Sequence, residues 1–291
     1  MSSSRRQSLS LSSSWTGSEL ASLNLLSPPA VESEGWTKDW KEIFARDLVD
    51  SRIVTVDADT SVEEACDILL SEDILCLVVK GQTPDAAASP YLGLFDFSDV
   101  NAFLTLAATS HTLLPEDLLE KPRSSEIVSA ARAGHVPVHL VSNFSDKNPL
   151  ETLPHDATII SLLELFSRGT HRALIRSTSA NNQFVGIVSD RGLLSWFSSY
   201  ATKTPTLLSF LSNPLHSLSL PSLNIYSAVV GATATSVVLD AMRLMSEGGV
   251  SSVAVIDDDS GSLLSAVSVT DIGKVISSSF MRSSDGGSVF S

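Results

Sequence analysis

Apolar and polar positions alternate over "SRIVTV" (51–56), the pattern of a half-buried strand. The next run, "DADTSVEEACDILLSED", puts Val62, Ala65, Ile68 and Leu69 on one helical face. It predicts a helix capped by Thr60, with Glu63 completing a capping box. "ILCLVVKG" reads as a buried strand, "QTPDAAASP" as a loop, "YLGLFDF" as another strand and "SDVNAFLTLAA" as another helix. The order is strand, helix, strand, strand, helix.

That order recurs twice. The second copy reads "LETLPHDATIISLLELFSRG", "THRALIRS", "NQFVGIVS" and "DRGLLSWFSSY"; the third reads "SAVVGATATSVVLDAMRLMSEG", "VSSVAVID", "GSLLSAVSV" and "TDIGKVISSSF". Such self-similarity marks a repeat architecture of α/β (α+β) class. Each copy carries a threonine at its first helix start: Thr60, Thr158 and Thr235. One unit of this size buries too little surface alone, so units are expected to pair. The third has no internal partner, and its sheet face is expected to stay apolar and exposed, inviting a homodimer through the third unit.

The chain divides into a Ser-rich disordered tail (1–35), a first unit (36–110), a connector (111–148), a second unit (149–200), a Pro-, Leu- and Ser-rich linker (201–224), a third unit (225–280) and a disordered end (281–291). Within the connector, "VPVHLV" alternates and is expected to add a strand to a neighbouring unit. In the tail, "RRQSL" sets Arg5 and Arg6 before Ser8, a candidate site for a basophilic kinase or simply solvated chain.

Composition narrows the function classes. Hydrophobic residues make up 43% and charged residues 18%, enough apolar material for a sizeable core. The formal net charge of −14 argues against a nucleic-acid footprint and against docking on an anionic membrane. The uncharged stretch Thr204–Leu239 holds three prolines and many serines, so it does not suit a membrane span. Cys66 and Cys76 sit in apolar runs without a CxxC pattern and read as buried thiols in a reducing compartment. His135, His139 and His155 lack metal-ligand spacing, so no metal is expected. No GxSxG, HExxH, Walker A or GxGxxG motif is present, and no enzyme activity is expected.

The junctions "GIVSDRGLL", "SAVSVTDI" and "GLFDFSDV", with the repeated element order, resemble the CBS motif. The resemblance implies β-α-β-β-α motifs paired through their sheets into a Bateman module, here with a third, unpaired motif. "HRALI" is similar to a strand of the AMP-activated kinase gamma subunit. "NFSDKNPLETLP", "GTHRALI", "SSVAVID" and "SVTDI", in this order, resemble a fungal family of CBS-repeat proteins. That family is described as inhibiting type 2A-like protein phosphatases, in cell-cycle, DNA-replication, cell-separation and nutrient-response control, in cytoplasm and nucleus. It usually carries four motifs; the fourth is missing from this sequence.

In nucleotide-binding CBS motifs, a Ser or Thr after the last strand precedes, by three residues, an Asp that accepts both ribose hydroxyls. The resemblance carries this pattern to Ser268 and Asp271, and in weaker form to Asp99, where Asp96 replaces the hydroxyl residue. The second unit keeps Ser189 but has Gly192 in place of the Asp, an impaired half-site. For Asp99 and Asp271, helix capping stands as the other reading. In the gamma subunit the matching His and Arg contact nucleotide phosphates. His171 and Arg172 are the candidates for that contact, or Arg172 bonds a neighbouring carboxylate. No cofactor is required on this reading. AMP, ADP or ATP is the candidate regulatory ligand, and a type 2A-like phosphatase or its complex the candidate partner.

Overall fold

The computed structural model describes residues 30–81, 90–112, 121–177, 183–214 and 229–275. After a helix α1 (Ala30–Trp40), the first motif comprises β1 (Thr55–Asp57), α2 (Val62–Ser71), β2 (Cys76–Lys80), β3 (Tyr91–Asp96) and α3 (Phe97–Thr109). Helices α4 (Pro122–Arg132) and α5 (Val138–Val141) connect it to the second motif: β4 (Thr152–Pro154), α6 (Ile159–Phe166), β5 (Arg172–Arg176), β6 (Phe184–Ser189) and α7 (Asp190–Lys203). Helix α8 (Pro205–Leu211) follows. The third motif has β7 (Gly231–Thr233), α9 (Val238–Gly248), β8 (Ser252–Ile256), β9 (Leu263–Ser268) and a helix over 269–275. This is the expected mixed α/β repeat.

The three sheets share one topology. In each, the first strand runs parallel to the second, which pairs antiparallel with the third. Each hairpin shifts register at the same place, after Val79, Ile175 and Val255. Cys76 lies opposite Asp96, Arg172 opposite Ser189 and Ser252 opposite Ser268, so structurally equivalent positions follow directly.

Strand alternation divides the buried residues between two tasks. Leu77, Val79 and Phe95 face the first motif's helices, and Ala173, Ile175 and Val188 face the second's. Cys76, Val78 and Leu94 face the other way and meet Leu174 and Ile187, which joins the first two motifs sheet to sheet. Tyr91 and Phe184 extend this seam, with ring centroids 5.1 Å apart.

Each motif of the pair also borrows a segment. Ala45 donates to the Ala157 carbonyl at 2.7 Å and Ile159 to that of Ile43 at 2.9 Å, so Ala45 and Leu48 enter the second core. Correspondingly, Val62 donates to Val136 and Val138 to Thr60, and Val136, Val138 and Val141 enter the first core.

The third motif docks by its helices. Ala241, Met242, Met245, Val269 and Ile272 complete the first motif's core. Asn101 Nδ2 donates to the Met242 carbonyl at 3.1 Å. A Cβ on Gly273 would collide with the Phe97 ring. Gly273→Ala is therefore expected to weaken this docking by about 1–3 kcal/mol, the usual overpacking cost, read as a lower urea midpoint.

Several local expectations are corrected. Ser61, not Thr60, caps α2, accepting from the Glu64 amide at 3.1 Å. Thr158 occupies a cap position without a side-chain bond, and Thr235 instead donates to Asp258 at 2.8 Å. "VPVHLV" adds no strand: Val138–Val141 form the short helix α5, and the run meets the first motif through an isolated Ser61–Pro137 bridge and the backbone bonds of Val136 and Val138. The assigned tail contains the start of α1, and the assigned linker contains α8, whose Leu207 packs with Trp36 and Ala201. Ser8, most of loops 81–90 and 177–183, residues 215–228 and the 281–291 end lie outside the described residues.

Candidate functional site

The sheet pairing sets the C-terminal end of β3 against the N-terminal end of β5. Asp96 leaves β3 as the N-cap of α3, with Oδ1 accepting from Ser98 N at 2.8 Å. Its Oδ2 accepts from Arg172 Nη1 at 2.8 Å, across the motif boundary. Arg172 Nη1 also donates to Asn148 Oδ1 at 2.6 Å. The two charged side chains are only 15% and 8% exposed. Of the two readings of Arg172, this geometry realises the carboxylate bond.

A cavity of about 550 Å³ opens beside this pair, where all three motifs meet. His171, Arg172, Asp190 and Arg191 line it from the second motif, Asp96, Ser98 and Asn101 from the first, Lys147 from the connector, and Met245, Gly249 and Thr270 from the third. His171 Nδ1 lies 2.7 Å from Asp190 Oδ2. Burial pushes the Asp190 carboxyl up, but the hydrogen bond and charge of His171 outweigh it and hold the group below the usual carboxylate range. Arg172 and His171 are thus matched by Asp96 and Asp190. No ion pair among the described residues engages Lys147 or Arg191. In a chain of net charge −14, this cavity keeps two cations unmatched. That arrangement can hold a small anion.

Gly249, the C-cap of α9, has φ +58°, which only glycine adopts cheaply. A Cβ there would lie 2.9 Å from Lys147 Nζ, so its absence leaves the ammonium room against the third motif.

The expected ribose residues are not gathered here. Asp99 is fully buried and does not line the cavity. Its Oδ1 accepts from Ser145 N and Oγ at 2.9 and 2.7 Å; its Oδ2 accepts from Asn143 N and Asp96 N, both at 3.2 Å. Capping and loop fixation take these oxygens, the other of the two readings of Asp99. Ser189 caps α7, accepting from Gly192 N at 3.0 Å, while its hydroxyl donates to Asp50 Oδ2. A Cβ on Gly192 would collide with that Asp50 carboxylate. The space an aspartate at 192 would use is filled from the segment leading into the first motif. Ser268 and Asp271 lie on the third motif's exposed side. Ser268 N and Oγ donate to Asp271 Oδ2 at 2.9 and 2.6 Å, and Asp271 N donates back to Ser268 Oγ at 3.2 Å. The side-chain and backbone bonds from Ser268 hold the Asp271 carboxyl below its usual range.

Burial, reinforced by neighbouring Asp96, outweighs the Ser145 bonds and raises the Asp99 carboxyl to about 7. Between the unfolded value of about 3.9 and that raised value, the folded chain binds more protons than the unfolded one. This contribution is therefore present at low pH and lost as pH rises. The urea midpoint is expected to fall from pH 5 to pH 8, and Asp99→Asn to flatten that slope relative to the unsubstituted chain.

Burial, first, pushes the Cys66 and Cys76 thiols up to about 12, as suits unreactive core cysteines. No group of three or more potential metal ligands occurs among the described residues. None of the described helices is long and apolar enough to cross a membrane. Sequence reasoning missed Lys147, Asn148 and Asp50. Lys147 and Asn148 sit inside "NFSDKNPLETLP", but nothing in their spacing marked them, and Asp50 lies in an unpatterned stretch.

Comparison with known proteins bears on these features. The CBS domain family matches residues 45–101, 141–199 and 227–278. A protein named sds23 from Neosartorya fischeri is 32% identical over 239 residues, covering 81% of this chain and 42% of its own length. A protein named SDS23 from Yarrowia lipolytica is 31% identical over 229 residues, covering 78% and 43%. The chain thus spans less than half the length of these curated relatives. Among solved structures, MJ1225 of Methanocaldococcus jannaschii, described as a proposed archaeal homologue of g-AMPK, matches with a TM-score of 0.56 at 16% identity, over 84% of this chain and 77% of that one. At that identity it speaks for the fold alone.

Proposed function

The chain belongs to the CBS-domain family, and from that premise we propose that it is a regulatory, non-catalytic scaffold that binds and inhibits a type 2A-like protein phosphatase. The observation that carries this reading is the similarity to the fungal Sds23 proteins, which extends over 81% of the chain. The filled half-sites support it. With Asp99 buried and Asp50 seated at Ser189, the first two motifs are held together by their own side chains. A pair fixed in this way presents constant surfaces to a partner. Cell-cycle, replication, separation and nutrient control, in cytoplasm and nucleus, are the settings this reading entails.

The test is a pull-down and activity assay of purified full chain with a fungal type 2A-like phosphatase. Stoichiometric capture with a dose-dependent fall in phosphatase activity is expected. Absence of both overturns the reading.

A second reading, adenine-nucleotide sensing, is favoured by one observation: the unmatched Lys147 and Arg191 in the central cavity. Calorimetric titration with AMP, ADP and ATP is expected to show micromolar binding, weakened at least tenfold by Lys147→Ala with Arg191→Ala. A flat titration removes this reading and leaves the scaffold. Phosphates would meet these two cations and His171, while Arg172 stays with Asp96.

A further inference from the structure

Two tryptophans anchor helix α1 on the second motif. Trp36 is buried with Leu207 and Phe210, and its Nε1 donates to Thr206 Oγ1 at 2.9 Å. Trp40 meets the rings of Phe197 and Tyr200 edge-on, with centroids 6.0 and 6.1 Å apart. Tyr200 is stacked on Trp196 and donates its hydroxyl to Asp39 Oδ2 of α1 at 3.0 Å. The chain that follows α1 takes Ala45 and Leu48 into the second core and Asp50 to Ser189. Helix α1 is thus the outer end of an arm that reaches the second half-site.

Thr204 stands next to the Tyr200–Asp39 contact, at the break between α7 and α8. Its backbone is extended, with φ −118° and ψ 93°. Pro205 enforces this, because a proline disfavours helical backbone in the residue before it. A threonine at such a break ordinarily spends its hydroxyl on the amides of the next helix. Thr204 makes no such cap bond, and its side chain bonds the Tyr200 hydroxyl instead. Thr204 is half-buried, while Thr202, Lys203, Pro205 and Thr206 around it are exposed. Proline-directed protein kinases take an extended Ser or Thr followed by a residue that brings no N–H, which proline alone supplies. Thr204-Pro205 is the one such dipeptide wholly within the described residues; Ser27-Pro28, Thr83-Pro84 and Ser89-Pro90 fall outside them in whole or in part.

Modification would change the contact directly. The Thr204 hydroxyl attacks the γ-phosphorus of ATP, and an O–P bond forms as the β–γ bridging P–O bond breaks. ADP leaves with that electron pair, and the hydroxyl proton passes to the kinase's base. About two negative charges and three acceptor oxygens then replace one O–H donor. Tyr200 has a single proton to donate. The phosphate takes it, so Asp39 loses its bond and faces like charge. The cation adjacent in sequence, Lys203, belongs to α7 and not to α1. Lys38 of α1 projects about 100° round the helix from Asp39. The phosphate is therefore offset from the α7 side and repelled from the α1 side.

We propose that Thr204 is a phosphorylation site for a proline-directed protein kinase, and that the phosphate releases α1 from the second motif.

The test is incubation of the full chain with ATP and a purified proline-directed serine/threonine kinase, with modified positions mapped by mass spectrometry. Phosphate is expected on Thr204, and its loss from that position is expected in Pro205→Ala. Amide hydrogen exchange over 30–40 reads the release. It is expected to speed up about tenfold on phosphorylation, the worth of one hydrogen bond to a charged group. Thr204→Val treated in the same way is expected to keep the slow exchange, whatever is modified in the other three dipeptides. Asp39→Asn, phosphorylated on Thr204, is expected to respond less than the parent, because its amide can donate to the phosphate where the carboxylate is repelled. Phosphate on another of the four dipeptides with none on Thr204 overturns the proposal. So does an unmodified chain with a kinase that modifies a Thr-Pro peptide. Phosphate on Thr204 with unchanged exchange over 30–40 overturns the release.

Discussion

Replacing Arg172 with methionine is expected to destabilise the chain by about 3–5 kcal/mol, the range found when one partner of a buried ion pair is removed. The cation is held by Asp96 at 2.8 Å and Asn148 at 2.6 Å, with its side chain 15% exposed. Without it, Asp96 would keep a carboxylate 8% exposed next to the buried Asp99. Asn148, whose Nδ2 already lacks a hydrogen-bond partner among the described residues, would lose the donor to its Oδ1 as well. Two features separate charge from packing. Adding Asp96→Asn is expected to recover at least half of the loss, because the asparagine keeps a cap acceptor for Ser98 and removes the stranded charge. Lowering the pH from 7 to 5 is expected to recover part of the loss in the single variant, because the Asp99 carboxyl, raised to about 7, then takes up its proton and no longer repels that of Asp96. Urea denaturation at both pH values reads all of this. A loss below about 1 kcal/mol for Arg172→Met would place the pair among weak surface bridges.

The same pair shows where sequence reasoning ends. The repeat, the element order and the strand–helix junctions were legible because each rests on local periodicity: alternation in strands, a one-sided apolar stripe in α2 and a polar turn between. His171 and Arg172 were legible as a unit at a strand start. Their partners were not. Asp96 lies 76 positions from Arg172, and nothing in either segment announces the other. Asp99 carried two readings, capping and ribose binding. The deciding groups, Ser145 and Asn143, come from a connector 46 and 44 positions away. "VPVHLV" misled for a local reason. Val138 and Val141, both buried, stand three residues apart, so the run satisfies a helical turn as well as a strand. Cap assignment failed by one residue because Thr60 and Ser61 are both capping types, and backbone geometry alone separates them.

The self-filled half-site of the second motif yields the other large effect. Gly192→Asp restores the Ser-x-x-Asp pattern on paper, yet it is expected to destabilise the chain by about 3 kcal/mol. Overpacking accounts for about 1–3 kcal/mol. The new carboxylate also meets that of Asp50, because a Cβ at 192 already collides with the Asp50 side chain. Asp50→Gly alone is expected to cost about 1 kcal/mol, the usual worth of a lost hydrogen bond, here the one donated by Ser189. Combined, the changes are expected to be non-additive by about 2 kcal/mol toward stability, a coupling typical of residues in contact. An aspartate at 192 can then take the place that Asp50 leaves and accept from Ser189. Urea midpoints of the four proteins close the cycle. Additive losses would mean that Asp50 does not occupy the half-site in solution. Titration of the double variant with AMP then asks a functional question. Heat from the double variant at a site silent in the parent would mean that the segment leading into the first motif is what keeps the second half-site shut. The pairing of the two motifs would then rest on a contact that also excludes ligand, which is what a scaffold of fixed shape needs.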